Sequence, residues 1–139
     1  MIVTTCSVAD LHRHDGHRWA IVRHAMWRNK DWLRAGIRWV PDLAPPAGLL
    51  RWWRQEPATM ERWHEYRERF RRARGDAYWR ELRATTLLSG HGSLVLACWC
   101  QDPRCCHRSL VVQDLLQVWQ AEAGPDAMQL IREEDDGNA

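Results

Sequence analysis

Four of the five cysteines fall between Cys98 and Cys106, in a run that ends Cys105-Cys106-His107-Arg108. Thiols, an imidazole and guanidiniums packed this closely admit three kinds of chemistry. Metal binding is the first, since thiolate and imidazole are zinc ligands and zinc takes four of them in a tetrahedron. The spacing argues against it. Structural thiolates usually come as C-x₂₋₄-C, whereas here a single residue separates Cys98 from Cys100, and Cys105, Cys106 and His107 are consecutive. Consecutive side chains entering a helix diverge. The sequence therefore assigns no metal, and names Cys98, Cys100, Cys106 and His107 as the ligands if one binds.

The second kind is nucleophilic. Cys98 and Arg104 have the Cys-x₅-Arg spacing of tyrosine-phosphatase-like loops, which cradle phosphate with successive backbone N–H groups. The intervening residues contain no glycine, and Asp102 would repel the substrate. Cys106, followed by His107 and Arg108, is the better catalytic candidate. A thiol at a helix N-terminus beside arginine is expected to ionise more readily than a free one. The third kind is plain packing, because free cysteine buries well as a small hydrophobe. That is the default for Cys98, at the end of an apolar run.

These residues need a scaffold. Leu94-Val95-Leu96-Ala97 is a continuous apolar run, which predicts a strand over 93–98 covered on both faces, as in a parallel sheet. The amphipathic stretch from His107 to Gly124 predicts a helix directly after the cysteine loop. The loop then lies at the strand's carboxyl end, where open α/β sheets place their ligands. The helix N-terminus near Cys106 favours an anion, with Arg104 and Arg108 beside it.

Further strands are expected at residues 1–5, 18–23 and 128–132. The Asp15-Gly16 signal makes 11–17 a loop or hairpin connection, with His12, His14 and His17 exposed there and no metal among them. Residues 27–35 predict a short helix ending at Gly36, and the proline-rich 37–46 an extended or turn segment. Pro46 and Pro57 each open a helix. In the second of these, Met60, Trp63, Tyr66 and Phe70 recur at helical spacing. The arginines between them are interleaved with Glu61, Glu65 and Glu68, which fits a solvated face better than a nucleic-acid surface.

The bulk composition narrows the classes. The chain has 139 residues, with 20 basic against 18 acidic side chains and a net charge of +2. That balance disfavours a generic nucleic-acid tether. It keeps open only a local mode in which arginines meet phosphates and bases stack on the ten tryptophans. No apolar window is long enough for a membrane span, and the N-terminus lacks a signal-peptide pattern, so a cytoplasmic protein is expected. Strands interleaved with helices predict an α/β fold: one small domain over residues 1–132, with a mostly parallel sheet flanked by helices. Residues 133–139 read as a disordered acidic tail.

The stretch Leu94 to Val111, with its apolar strand, Asp-Pro loop and Cys-His-Arg helix start, resembles the C-terminal signature of domain-of-unknown-function family 488. Upstream, Asp15-Gly16-His17-Arg18, the apolar residues through Val22, Arg23 and then Trp27 are similar to that family's YeaO-like group, as is the series from Trp39 through Asp42-Leu43-Ala44-Pro45 to Phe70. The likeness runs over roughly residues 2–120. It implies an α/β fold in which Arg23 and the Asp42–Pro45 turn meet the cysteine loop, and it implies no particular activity or cofactor. The expected site combines Cys106 and His107 as chemical groups with Arg23, Trp27, Arg104 and Arg108 around a small anionic, phosphate-bearing or nucleotide-type ligand. The alternative is a non-catalytic module whose thiols hold zinc or only pack.

Overall fold

The computed structural model describes residues 1–88, 92–100 and 106–130. Strands β1 (Ile2–Ser7), β2 (His17–Ala20), β3 (Ile37–Trp39), β4 (Ser93–Cys98) and β5 (Gln129–Leu130) form one sheet in the order β3-β2-β4-β1-β5. Every pairing among them is parallel. The apolar run places β4 in the centre, with Thr4 opposite Val95 on one side and Trp19 opposite Leu96 on the other. Residues Leu94 to Cys98 are all buried. The fold is α/β, with helices α1 (Asn29–Ala35), α2 (Ala47–Arg54), α3 (Met60–Ala73), α4 (Asp76–Ala84) and α5 (His107–Ala123).

Several expectations shift for local reasons. Strands β1 and β2 both pair with β4, so the segment between them is no hairpin, and Val8–Arg13 forms a 3-10 helix there. His12 and His17 are exposed, while His14 is half-buried. Gly16 has φ +90, and a Cβ on it would lie 2.7 Å from the Ser93 carbonyl oxygen. Only glycine fits that approach. Strand β2 ends at Ala20 rather than Arg23. Ile21 still donates its N–H to Ala97, but its carbonyl accepts from His107 Nε2 and that of Val22 from Trp39 Nε1. Two side chains thus take the carbonyls that a longer strand would give to the sheet.

Residues 37–46 contain β3 and a 3-10 turn at Pro41–Leu43. Helix α3 starts at Met60 instead of Pro57, because the Thr59 hydroxyl caps it by accepting the Arg62 N–H at 3.1 Å. The strand expected over 128–132 is described at Gln129–Leu130. Residues 131–139, with the expected acidic tail, lie outside the described residues.

On α3 the side chains of Trp63, Tyr66 and Phe70 are buried, with successive ring centroids 5.3 and 6.4 Å apart. Met60, in the first turn, is 66% exposed despite its spacing. The opposite face pairs Arg69 with Glu65 at 2.8 Å and Arg72 with Glu68 at 3.8 Å. Arg62 and Arg69 also lie over the Trp52 ring, 4.1 and 4.3 Å from its centroid. Much of the arginine and tryptophan excess is therefore used within the molecule as cation–π packing. No described helix is long and apolar enough to cross a membrane.

Trp63 fills the space between α2 and α3, so truncating it leaves a void as well as losing apolar burial. Trp63→Ala is expected to cost about 3–5 kcal/mol in urea unfolding. A loss below about 1 kcal/mol would show that this face does not pack as described.

Candidate functional site

The strand order creates the site. From β2 the chain runs out to β3 at one edge, while from β4 it runs through α5 to β5 at the other. Adjacent strands that send their chains in opposite directions open a crevice beyond their carboxyl ends, the usual ligand position in such sheets. Val22 and Arg23 enter it after β2, Trp99 and Cys100 after β4, and Cys106 and His107 at the start of α5. Pro45, Leu50, Trp53, Arg54 and Tyr66 complete its walls. The resulting slot has about 40 Å³ of volume. It shares Leu50 and Arg54 with a wider bowl of about 420 Å³, lined also by His24, Ala47, Arg51 and Gln55.

The thiols of Cys98, Cys100 and Cys106 converge, their sulfurs all within 4.8 Å of one another, and such a group could hold a metal ion. Cys98 Sγ and Cys106 Sγ are 2.8 Å apart. The divergence expected of consecutive residues holds for Cys106 and His107, so His107, an expected fourth ligand, stands outside the trio. As the N-cap, Cys106 has extended angles, φ −134 and ψ 144. Its side chain meets the end of β4, while that of His107, in the first turn of α5, reaches the Ile21 carbonyl after β2.

His107 is buried, and its Nε2 lies 2.7 Å from the Ile21 carbonyl oxygen. A carbonyl only accepts, so Nε2 carries the proton and Nδ1 keeps its lone pair. That Nδ1 is 3.8 Å from Cys106 Sγ. Burial pushes the imidazole below its ordinary range, which favours the neutral ring. The sequence expectation of an easily ionised thiol at the helix start is overturned for Cys106, because its burial favours the neutral thiol. Cys98 is pushed up to about 12, chiefly by its hydrogen bonding with Cys100. Hydrogen bonding with Cys106 and Cys98 lowers Cys100 instead.

Arg108 has no exposed surface and donates Nη1 to the Cys100 carbonyl at 3.3 Å. Asp114 is held by the Tyr78 hydroxyl at 2.6 Å and Arg74 at 2.7 Å. Arg23 turns its guanidinium onto the Ala44 and Pro45 carbonyls, at 3.0 and 3.2 Å, and so fixes the Asp42–Pro45 turn as one wall of the crevice. Trp27 stands 71% exposed and does not line the slot. Arg28 separates it from Trp99, lying over both rings at 5.3 and 5.2 Å. Asp102, Arg104 and Cys105 lie outside the described residues.

Trp53, Arg54 and Tyr66, together with Arg51 at the bowl, line the site although the sequence named none of them as site residues. The one available signal was that Leu50 and Arg54 sit four apart on α2, on one helix face.

The molecule is thus an α/β protein with an open parallel sheet, a crevice at its switch point and thiols in the crevice wall. The chain belongs to the DUF488 family, since the family model described as "DUF488-N3a: Active DUF488-N3 subclade" matches residues 3–120. Searches of curated proteins and of solved structures return no match.

The bond between His107 and Ile21 ties α5 to the end of β2 across the crevice. His107→Phe keeps the volume and strands the Ile21 carbonyl. It is expected to lower stability by about 1–3 kcal/mol in urea unfolding of the reduced protein. An unchanged midpoint would mean that the bond does not help to close the site.

Proposed function

We propose that the crevice binds a small phosphate-bearing ligand with a planar ring, of the nucleotide type. One observation carries the reading. Two guanidiniums, Arg23 and Arg54, and three aromatic rings, Trp53, Tyr66 and Trp99, line a single slot at the sheet's switch point. A slot of about 40 Å³ admits only one edge of such a ligand, because pockets that enclose a small molecule run to roughly 300–1,000 Å³. The rest of the ligand lies in the bowl, with its phosphate against Arg51 and Arg54. Arg108 adds positive charge from beneath, and the helical N–H groups after Cys106 favour the same sign. Cys106 and His107 are the chemical groups that the inserted edge meets.

A small ligand fits better than an extended nucleic acid. On α3, Arg62, Arg69 and Arg72 are engaged with Trp52, Glu65 and Glu68, and the net charge is only +2. A long polyanion needs a continuous row of available cations.

Thermal denaturation and calorimetric titration with inorganic phosphate and with adenosine monophosphate test this. Both should stabilise the protein saturably, the nucleotide more strongly. Arg54 is exposed, so Arg54→Ala should leave apo stability within about ±0.5 kcal/mol. The same change should weaken nucleotide binding at least about tenfold, because it removes a charge-assisted hydrogen bond. A wild-type protein indifferent to both compounds, or an Arg54→Ala variant that binds them undiminished, would contradict the proposal.

A further inference from the structure

We infer that Cys98, Cys100 and Cys106 form a three-thiolate site for a zinc-type divalent ion, set in the wall of the crevice. Three sulfurs already lie within 4.8 Å of one another although seven residues lie between the first and the last. A Zn–S bond of about 2.3 Å puts tetrahedral sulfurs about 3.8 Å apart, so the closest pair would have to open by about 1 Å. The present 2.8 Å between Cys98 and Cys106 is far longer than a disulfide of about 2.05 Å. Among biological divalent ions, an all-thiolate set favours zinc over the hard, oxygen-seeking cations.

The surroundings match the charge. Zn²⁺ with three thiolates carries one net negative charge, and burying it unbalanced would be costly. Arg108, wholly buried, donates to the carbonyl of Cys100, a proposed ligand, and brings one positive charge to balance it. His107 gives its Nε2 proton to Ile21 and keeps Nδ1 toward Cys106, so no N–H is aimed from that ring at the sulfur. Cys100 and Cys106 line the slot whereas Cys98 is sealed beneath them. Among the described residues three ligands converge, and the position toward the crevice is where a fourth, a water or an exogenous anion, would bind.

The inference does not rest on the phosphate reading, because metal content and phosphate stabilisation are measured separately and either can fail alone. The test is metal analysis of the full chain, expressed without an affinity tag in zinc-supplemented medium. Cobalt titration of the chelator-treated, reduced protein then follows. About one zinc per chain is expected, and cobalt should give thiolate charge-transfer absorption with the intense visible bands of tetrahedral coordination. Cys100 is half-buried, so Cys100→Ser is the variant that should fold, and its cobalt affinity should drop at least about tenfold. Cys106→Ser should behave alike wherever circular dichroism shows it folded. Wild-type protein that takes up neither metal would overturn the inference. So would cobalt binding unchanged in folded Cys100→Ser, or a Cys98–Cys106 disulfide found by mass spectrometry in metal-free protein prepared under reductant.

Discussion

The central position of β4 constrains everything else. A strand hydrogen-bonded on both sides and covered on both faces must be apolar throughout, and Leu94 to Ala97 meet that demand. Because β1 and β2 flank it in parallel, the chain can leave β4 only at the carboxyl end of the sheet and must return through a helix. The polar residues that follow the strand are thereby delivered to one edge. Cys98 closes the strand, Cys100 turns toward the crevice, and Cys106 caps the returning helix. The thiol trio is a consequence of that exit and return.

The site then depends on how buried polar groups are satisfied. His107 is bound to Ile21, and Asp114 holds both Tyr78 and Arg74. Arg23 holds the Ala44 and Pro45 carbonyls. Each of these bonds joins elements far apart in sequence, and the His107 and Arg23 bonds lie at the crevice itself. Leaving a buried donor or acceptor without a partner costs about 1–3 kcal/mol, so these bonds fix the walls more firmly than apolar packing alone. A crevice held this rigidly is suited to orienting a ligand edge.

Much of this was legible in the sequence. The β4 run, the α5 start and the Gly36 stop each have a local pattern behind them. What the sequence hid was side-chain direction. The sequence starts a helix at His107, but only the extended N-cap geometry of Cys106 turns its sulfur onto Cys98. Arg108 reads as a ligand-facing cation but lies wholly inside. The tryptophan and arginine excess suggested nucleic acid, whereas several of those residues stack on one another, as Arg38 does over Trp19 at 4.8 Å and Arg74 over Trp79 at 4.8 Å. Neither composition nor spacing can reveal which partner a cation has already found.

Ligand binding at this crevice can be read by amide chemical-shift mapping of the reduced 16.4 kDa chain during titration with adenosine monophosphate. Saturable shifts are expected at the ends of β2 and β4, in the Ala44–Arg54 segment and in the first turn of α5, and nowhere else. Saturable shifts centred elsewhere, such as the charged outer face of α3, would contradict binding there.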